Sequence, residues 1–185
     1  IGIFLHKEAS IFSGDEQGKM NIATTRWIRA LYLLLALLGI SALFALSHFN
    51  YLLFHSLIEL TAVGMGISVF TIGWNTRRFA DTDSLFLLGV GYASVAVLDL
   101  MHTLAYKGMG RFPDSGANLP TQLWMAARFV ESLSLLAAAL LAGLRSRLPG
   151  WHVLSAYVAV TAVLLALIFP LGWFPAMYLP GEGLT

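Results

Sequence analysis

The sequence predicts an all-α integral membrane protein, an up-and-down bundle of about five transmembrane helices. Composition is the first reason. Of the 185 residues, 58% are apolar and 11% are charged, with a mean hydropathy of +0.76, whereas a soluble domain carries about 25% charged residues. The second reason is pattern, since five apolar stretches long enough for the roughly 30 Å hydrocarbon core alternate with short polar breaks. Helices joined by short connections pack as antiparallel neighbours, which predicts the bundle.

The N-terminal region differs from the rest of the chain. Residues 1–27 form the only long polar stretch, and we expect a disordered or surface-lying tail there, ahead of a membrane domain over residues 28–185. Met20 is a candidate native start, which would make residues 1–19 upstream or added sequence.

The breaks between apolar stretches place the helices. Thr82 or Asp83 is a candidate cap for the third span, and three prolines after residue 169 exclude a further regular helix. Pro120 is expected to precede the fourth span, and Lys107–Gly108 to end the third, with the glycine as C-cap. The spans are expected at residues 28–46, 51–74, 84–106, 121–144 and 152–169.

Basic residues mark the orientation. Only Lys107 and Arg111 lie on the side of the third-to-fourth loop, so the positive-inside rule predicts a cytoplasmic N-terminus. Five spans then leave the C-terminus outside, and we expect the chain to continue into further spans. The basic residues of the cytoplasmic side are Lys7, Lys19, Arg26, Arg29, Arg77, Arg78, Arg145 and Arg147.

Three spans carry polar side chains at one depth. A charged residue at a helix centre costs roughly 2.5–3.5 kcal/mol, so such residues are expected to face inward and meet. At 1.5 Å per residue, the charged and histidine members lie about 6–15 Å below the outer surface. We therefore predict one ligand-binding site in the outer half of the bundle. Its residues are His55 and Glu59 on the second span, Asp99, His102 and Tyr106 on the third, and Trp124, Arg128 and Glu131 on the fourth.

The formal charge of this site requires compensation. Three carboxylates and Arg128 have a summed formal charge of about −2 when the histidines are neutral. Protonated histidines, a protonated carboxyl or a bound cation must therefore balance this charge. We expect His55 and His102 to bind zinc, copper or iron, or a haem iron, with Glu59 and Asp99 as further ligands or as acceptors behind the imidazoles. Arg128 is expected to pair with Glu59 or Asp99, or more weakly with Glu131.

Two features that the sequence lacks exclude some classes of function. The chain has no cysteine, which excludes disulfides and thiolate metal sites, and no basic stripe suggests a nucleic-acid partner. An intramembrane metal or haem redox protein stays an alternative, although two usable histidines are few for a di-iron oxidase. A transporter half lacks the expected repeats, and a purely structural polar cluster is the remaining alternative.

Several segments resemble the third type of bacterial membrane-associated sensor domain. They are residues 54–60, 74–77, 98–109, 121–132 and 181–185. The resemblance implies a non-enzymatic membrane input module of the bacterial inner membrane, followed by a cytoplasmic histidine kinase or diguanylate cyclase in the same full-length chain. A homodimer is expected. The motif residues are His55, Glu59, Trp74, Asn75, Arg77, Asp99, His102, Tyr106, Lys107, Gly108, Trp124, Arg128 and Glu131.

Overall fold

Five helices make up almost all of the described structure. The computed structural model describes the backbone of residues 2–24 and the whole of residues 25–80, 83–112, 116–142 and 149–185. Each helix contains a stretch long and apolar enough to cross a membrane, which confirms the predicted fold class. The helices are α1 (Gly2–Phe49), α2 (Tyr51–Thr76), α3 (Ser84–Ala105), α4 (Asn118–Ala142) and α5 (Gly150–Ile168).

Contacts divide the chain into two units, one ending at Phe54 and one beginning at His55. In the first unit, α1 extends back to Gly2, so the polar stretch expected to be disordered or surface-lying is helical. The connection between the first two helices was predicted to contain four residues, but in the structure it is the single residue Asn50. Its side-chain oxygen accepts a hydrogen bond from the Leu53 amide at 3.0 Å, which caps α2. The predicted division into a tail over residues 1–27 and a membrane domain from residue 28 stays a prediction.

The second unit is built around α3. Phe86 and Leu98, two large side chains of this helix, are only 2% and 0% exposed. Small residues of α4 let that helix approach closely, and Ala126 and Ala127 are fully buried beside Leu98 in one core cluster. At Gly91 the α3 backbone lies against buried Ser134 of α4, which leaves no room for a larger side chain. The core is therefore strongest between α3 and α4.

Helix ends depart from the predicted boundaries by a few residues. Helix α4 begins at Asn118 and includes Pro120 in its first turn, where a missing N–H costs nothing. Helix α3 ends at the C-cap Tyr106, and Gly108 follows with a φ of 101°. Asp83 is the N-cap of α3, but its carboxylate makes no capping hydrogen bond. The predicted positions Thr82, Leu144, Arg145 and Arg147 lie outside the described residues.

The segment after α5 folds back onto the start of α4. The Gln122 side chain donates to the carbonyls of Phe174 and Pro175 at 2.9 and 2.8 Å. Beyond them, Tyr178–Leu179 and Gly183–Leu184 form a short antiparallel pair. The predicted absence of a regular helix after residue 169 is confirmed. This strand pair was not predicted, and its turn relies on Gly181 and Gly183, which both have φ above +90°.

Candidate functional site

His102 is held in a defined tautomer. It is buried near the end of α3, and its Nδ1 lies 2.8 Å from the carbonyl oxygen of Pro120 on α4. Because a carbonyl oxygen can only accept, Nδ1 must carry the hydrogen. The other ring nitrogen, Nε2, then faces Glu59 of α2, whose Oε1 lies 3.8 Å away. A neutral His102 thus presents a lone pair to a carboxylate.

His55 completes a group of three ligand-type side chains. One ligand atom from each of His55, Glu59 and His102 lies within 4.8 Å of the other two. The two imidazole rings meet edge to face with centroids 5.5 Å apart, and the Tyr106 ring covers His55 at a centroid distance of 3.9 Å. We call His55, Glu59 and His102 the histidine group. It combines two nitrogen ligands with one oxygen ligand, a donor set suited to zinc, copper or iron.

A second polar group lies next to it along α3. Arg128 of α4 donates from Nη2 to both carboxylate oxygens of Asp99, at 2.9 and 2.7 Å, and from Nη1 to Glu131 at 2.6 Å. The Tyr92 hydroxyl donates to the other Glu131 oxygen at 2.9 Å. We call these four residues the arginine group. The predicted pairing of Arg128 with Asp99 is confirmed, and the local pair with Glu131 forms as well.

A comparison with models of protein families identifies the family to which the chain belongs. The model of the membrane-associated sensor domain MASE3 matches residues 46–185, which is most of the sequence and includes both polar groups. The chain belongs to the MASE3 family. The resemblance to the third type of membrane-associated sensor domain is thereby confirmed. No curated protein and no solved structure matches the sensor domain.

Of the eight predicted site residues, six lie in these two neighbouring groups rather than in one, and a seventh, Tyr106, packs its ring on His55. Asp99 and His102 stand one turn apart on α3 and connect the groups. Trp124 is the eighth, and its side chain is 41% exposed on α4, one turn before Arg128. The ligand-binding role of all eight residues stays a prediction.

Sequence reasoning missed one member of these groups, Tyr92, and one backbone contact to them, the Pro120 carbonyl. Tyr92 precedes Asp99 by seven residues and shares its helix face, so extending the spacing of Asp99 and Tyr106 backwards would have found it. The Pro120 carbonyl leaves no sequence signal, because any residue supplies a backbone acceptor and only the packing of α3 against α4 selects this one.

Proposed function

We propose that this membrane-associated sensor domain is a signal-input module that detects a transition-metal ion at the histidine group. One observation carries the proposal. The Pro120 carbonyl holds the hydrogen of His102 on Nδ1, so the Nε2 lone pair points at the Glu59 carboxylate 3.8 Å away. Two electron-rich atoms at this distance in a poorly solvated site favour a positive charge between them. A metal ion meets that requirement, and a backbone carbonyl behind the imidazole is a common partner of metal-bound histidine.

The distances suit a single ion. Ligand atoms of a tetrahedral site with bonds of about 2.0–2.1 Å lie about 3.4 Å apart, close to the His102–Glu59 separation of 3.8 Å. The rings of His55 and His102 are in direct edge-to-face contact, with centroids 5.5 Å apart, which leaves no space for a porphyrin between them. Zinc, copper or iron as a bare ion is therefore favoured over haem.

The proposed signal passes along α2 to the cytoplasmic side. Ion binding would draw Glu59 on α2 towards His102 on α3. The far end of α2 carries Trp74, whose ring packs on Trp151 of α5 at 5.3 Å, with the Arg77 guanidinium 4.5 Å from the Trp74 centroid. We propose that this end moves with α2 and acts on a cytoplasmic histidine kinase or diguanylate cyclase of the full-length chain. In this proposal the protein is a dimer in the inner membrane with a cytoplasmic N-terminus.

Metal analysis of protein purified without chelators, in lipid nanodiscs, tests the proposal. We expect about one zinc, copper or iron per chain in the wild type and its loss in His55→Ala. His102→Asn is the sharper variant, because the Asn amide still donates to the Pro120 carbonyl but has no atom at the position of Nε2. His152→Ala, at an exposed histidine of α5, is the control that keeps the metal.

A metal-free wild type without a Soret band would overturn the metal proposal. The positive charge between His102 and Glu59 would then be a proton, and the module would respond to pH instead.

A further inference from the structure

A cavity of about 410 Å³ lies between α2, α3 and α4, beside the arginine group. Its polar side is formed by Tyr92, Asp99, Arg128 and Glu131, and Met65 and Val69 of α2 contribute to an otherwise apolar wall. The cavity is open on one side, where its lining residue Met65 is 61% exposed. A volume of this size, mainly apolar with a few convergent polar groups, is typical of small-molecule sites.

The formal charge of the arginine group is −1, because one guanidinium faces two carboxylates. Arg128 binds them through Nη2 on Asp99 and Nη1 on Glu131, while its buried Nε has no hydrogen-bond partner among the described residues. Each carboxylate has about four acceptor positions, of which Glu131 uses one for Arg128 and one for Tyr92. The cavity therefore offers hydrogen-bond acceptors on a group whose own formal charge is negative.

From this geometry we propose that the cavity binds an amphiphilic amine. Its ammonium group would donate to the free acceptor positions of Glu131 and Asp99 and bring the formal charge of the group to zero. Its apolar body would lie along Met65 and Val69. None of the three residues of the histidine group lines this cavity.

Radiolabelled dodecylamine is the probe, measured with the full chain in phosphatidylcholine nanodiscs and corrected by empty discs. We expect saturable binding of one molecule per chain, at least tenfold tighter than that of dodecanol, which has the same chain but no charge. Glu131→Gln should weaken dodecylamine binding about tenfold. Excess EDTA should leave it unchanged, so that the outcome is independent of the proposed metal site.

A matched pair of variants tests the location. Val69→Phe fills the cavity and should abolish saturable binding, whereas Val158→Phe adds the same volume beside the separate cavity between α3 and α5 and should preserve it. Equal affinity for dodecylamine and dodecanol in the wild type, or equal binding by the two variants, would mean partitioning into lipid only and would overturn the proposal.

The ammonium could also come from a lipid headgroup. Discs containing phosphatidylethanolamine separate the two sources. If the dodecylamine affinity is unchanged in these discs, the result supports a free amine as the ligand. If phosphatidylethanolamine competes with dodecylamine, the proposal of a free amine is overturned and the site is assigned to the lipid headgroup.

Discussion

At the scale of single residues, Asp99 joins the two polar groups of the sensor domain. It is 4% exposed, pairs with Arg128 through both carboxylate oxygens, and stands one turn from His102. A buried carboxylate is tolerated only with such a partner, because removal of one member leaves an uncompensated charge. The stability of α3 against α4 therefore depends on Arg128.

Replacement of Arg128 by leucine should destabilise the domain by about 3 kcal/mol, near the lower end of the range for buried pairs. The lower end applies because the Arg128 side chain is 37% exposed. SDS-induced unfolding in mixed micelles measures the change. Arg128→Lys should lose less stability than Arg128→Leu, because lysine keeps the positive charge although it cannot form the bidentate hydrogen bonds. Arg111→Leu, in an exposed loop, is the control, and equal stability of the Arg128 and Arg111 variants would contradict the buried pair.

Two replacements of His102 separate its structural contact from its proposed ligand role. His102→Ala removes the buried hydrogen bond to Pro120 together with the packing of the imidazole, and should cost about 1–3 kcal/mol. His102→Asn keeps a donor at the same position and should unfold close to the wild-type SDS concentration. If both variants are destabilised equally, the Pro120 hydrogen bond does not hold the ring.

At the scale of helices, close contact between α2 and α3 depends on glycine. A Cβ atom at Gly73 would lie 2.7 Å from the carbonyl oxygen of Leu85, and one at Gly89 would lie 3.1 Å from that of Val69. Since membrane helices associate largely through packing, small residues at such crossings allow the backbones to approach. The crossing connects the histidine group to the end of α2 that carries Trp74.

Gly73→Ala should therefore destabilise the domain by about 1–3 kcal/mol, the range for overpacking at a tight contact. Gly64→Ala on the same helix meets nothing within 4 Å and should be neutral or stabilising by up to about 1 kcal/mol, because alanine favours helix more than glycine. SDS-induced unfolding of the pair provides the measurement. Equal stability of the two variants would show that α2 and α3 are not in close contact at Gly73.

At the scale of the whole molecule, orientation decides on which side a ligand enters. The chain has no cysteine, so single cysteines can report topology without background labelling. Ser47→Cys, in the last turn of α1, and Ala117→Cys, just before α4, lie on the side expected outside, and Arg78→Cys lies on the side expected inside.

In intact cells, a membrane-impermeant maleimide should label the cysteines at positions 47 and 117 but not the one at position 78. Labelling of position 78 should appear only after the membrane is permeabilised. The reverse pattern would place the N-terminus outside and the histidine group in the inner half of the membrane.

The five membrane-spanning stretches could be predicted from sequence to within a few residues because length and hydropathy are local properties, whereas the continuation of α1 back to Gly2 was not predicted. The predicted start of the fourth span after Pro120 failed by three residues, since proline is accepted in the first turn of a helix. The family followed from ordered motifs, and the common depth of His55, Asp99 and Arg128 followed from helical rise.

The sequence by itself determined the membrane class, the spans and the polar residues at one level of the bundle. Only the tertiary structure decided that these residues divide into two groups, that Arg128 pairs with Asp99 rather than Glu59, and that the Pro120 carbonyl selects the His102 tautomer. The reason is that such pairings depend on the rotation of each helix about its axis and on backbone groups of a neighbouring helix. Neither property is encoded by residue spacing within one helix.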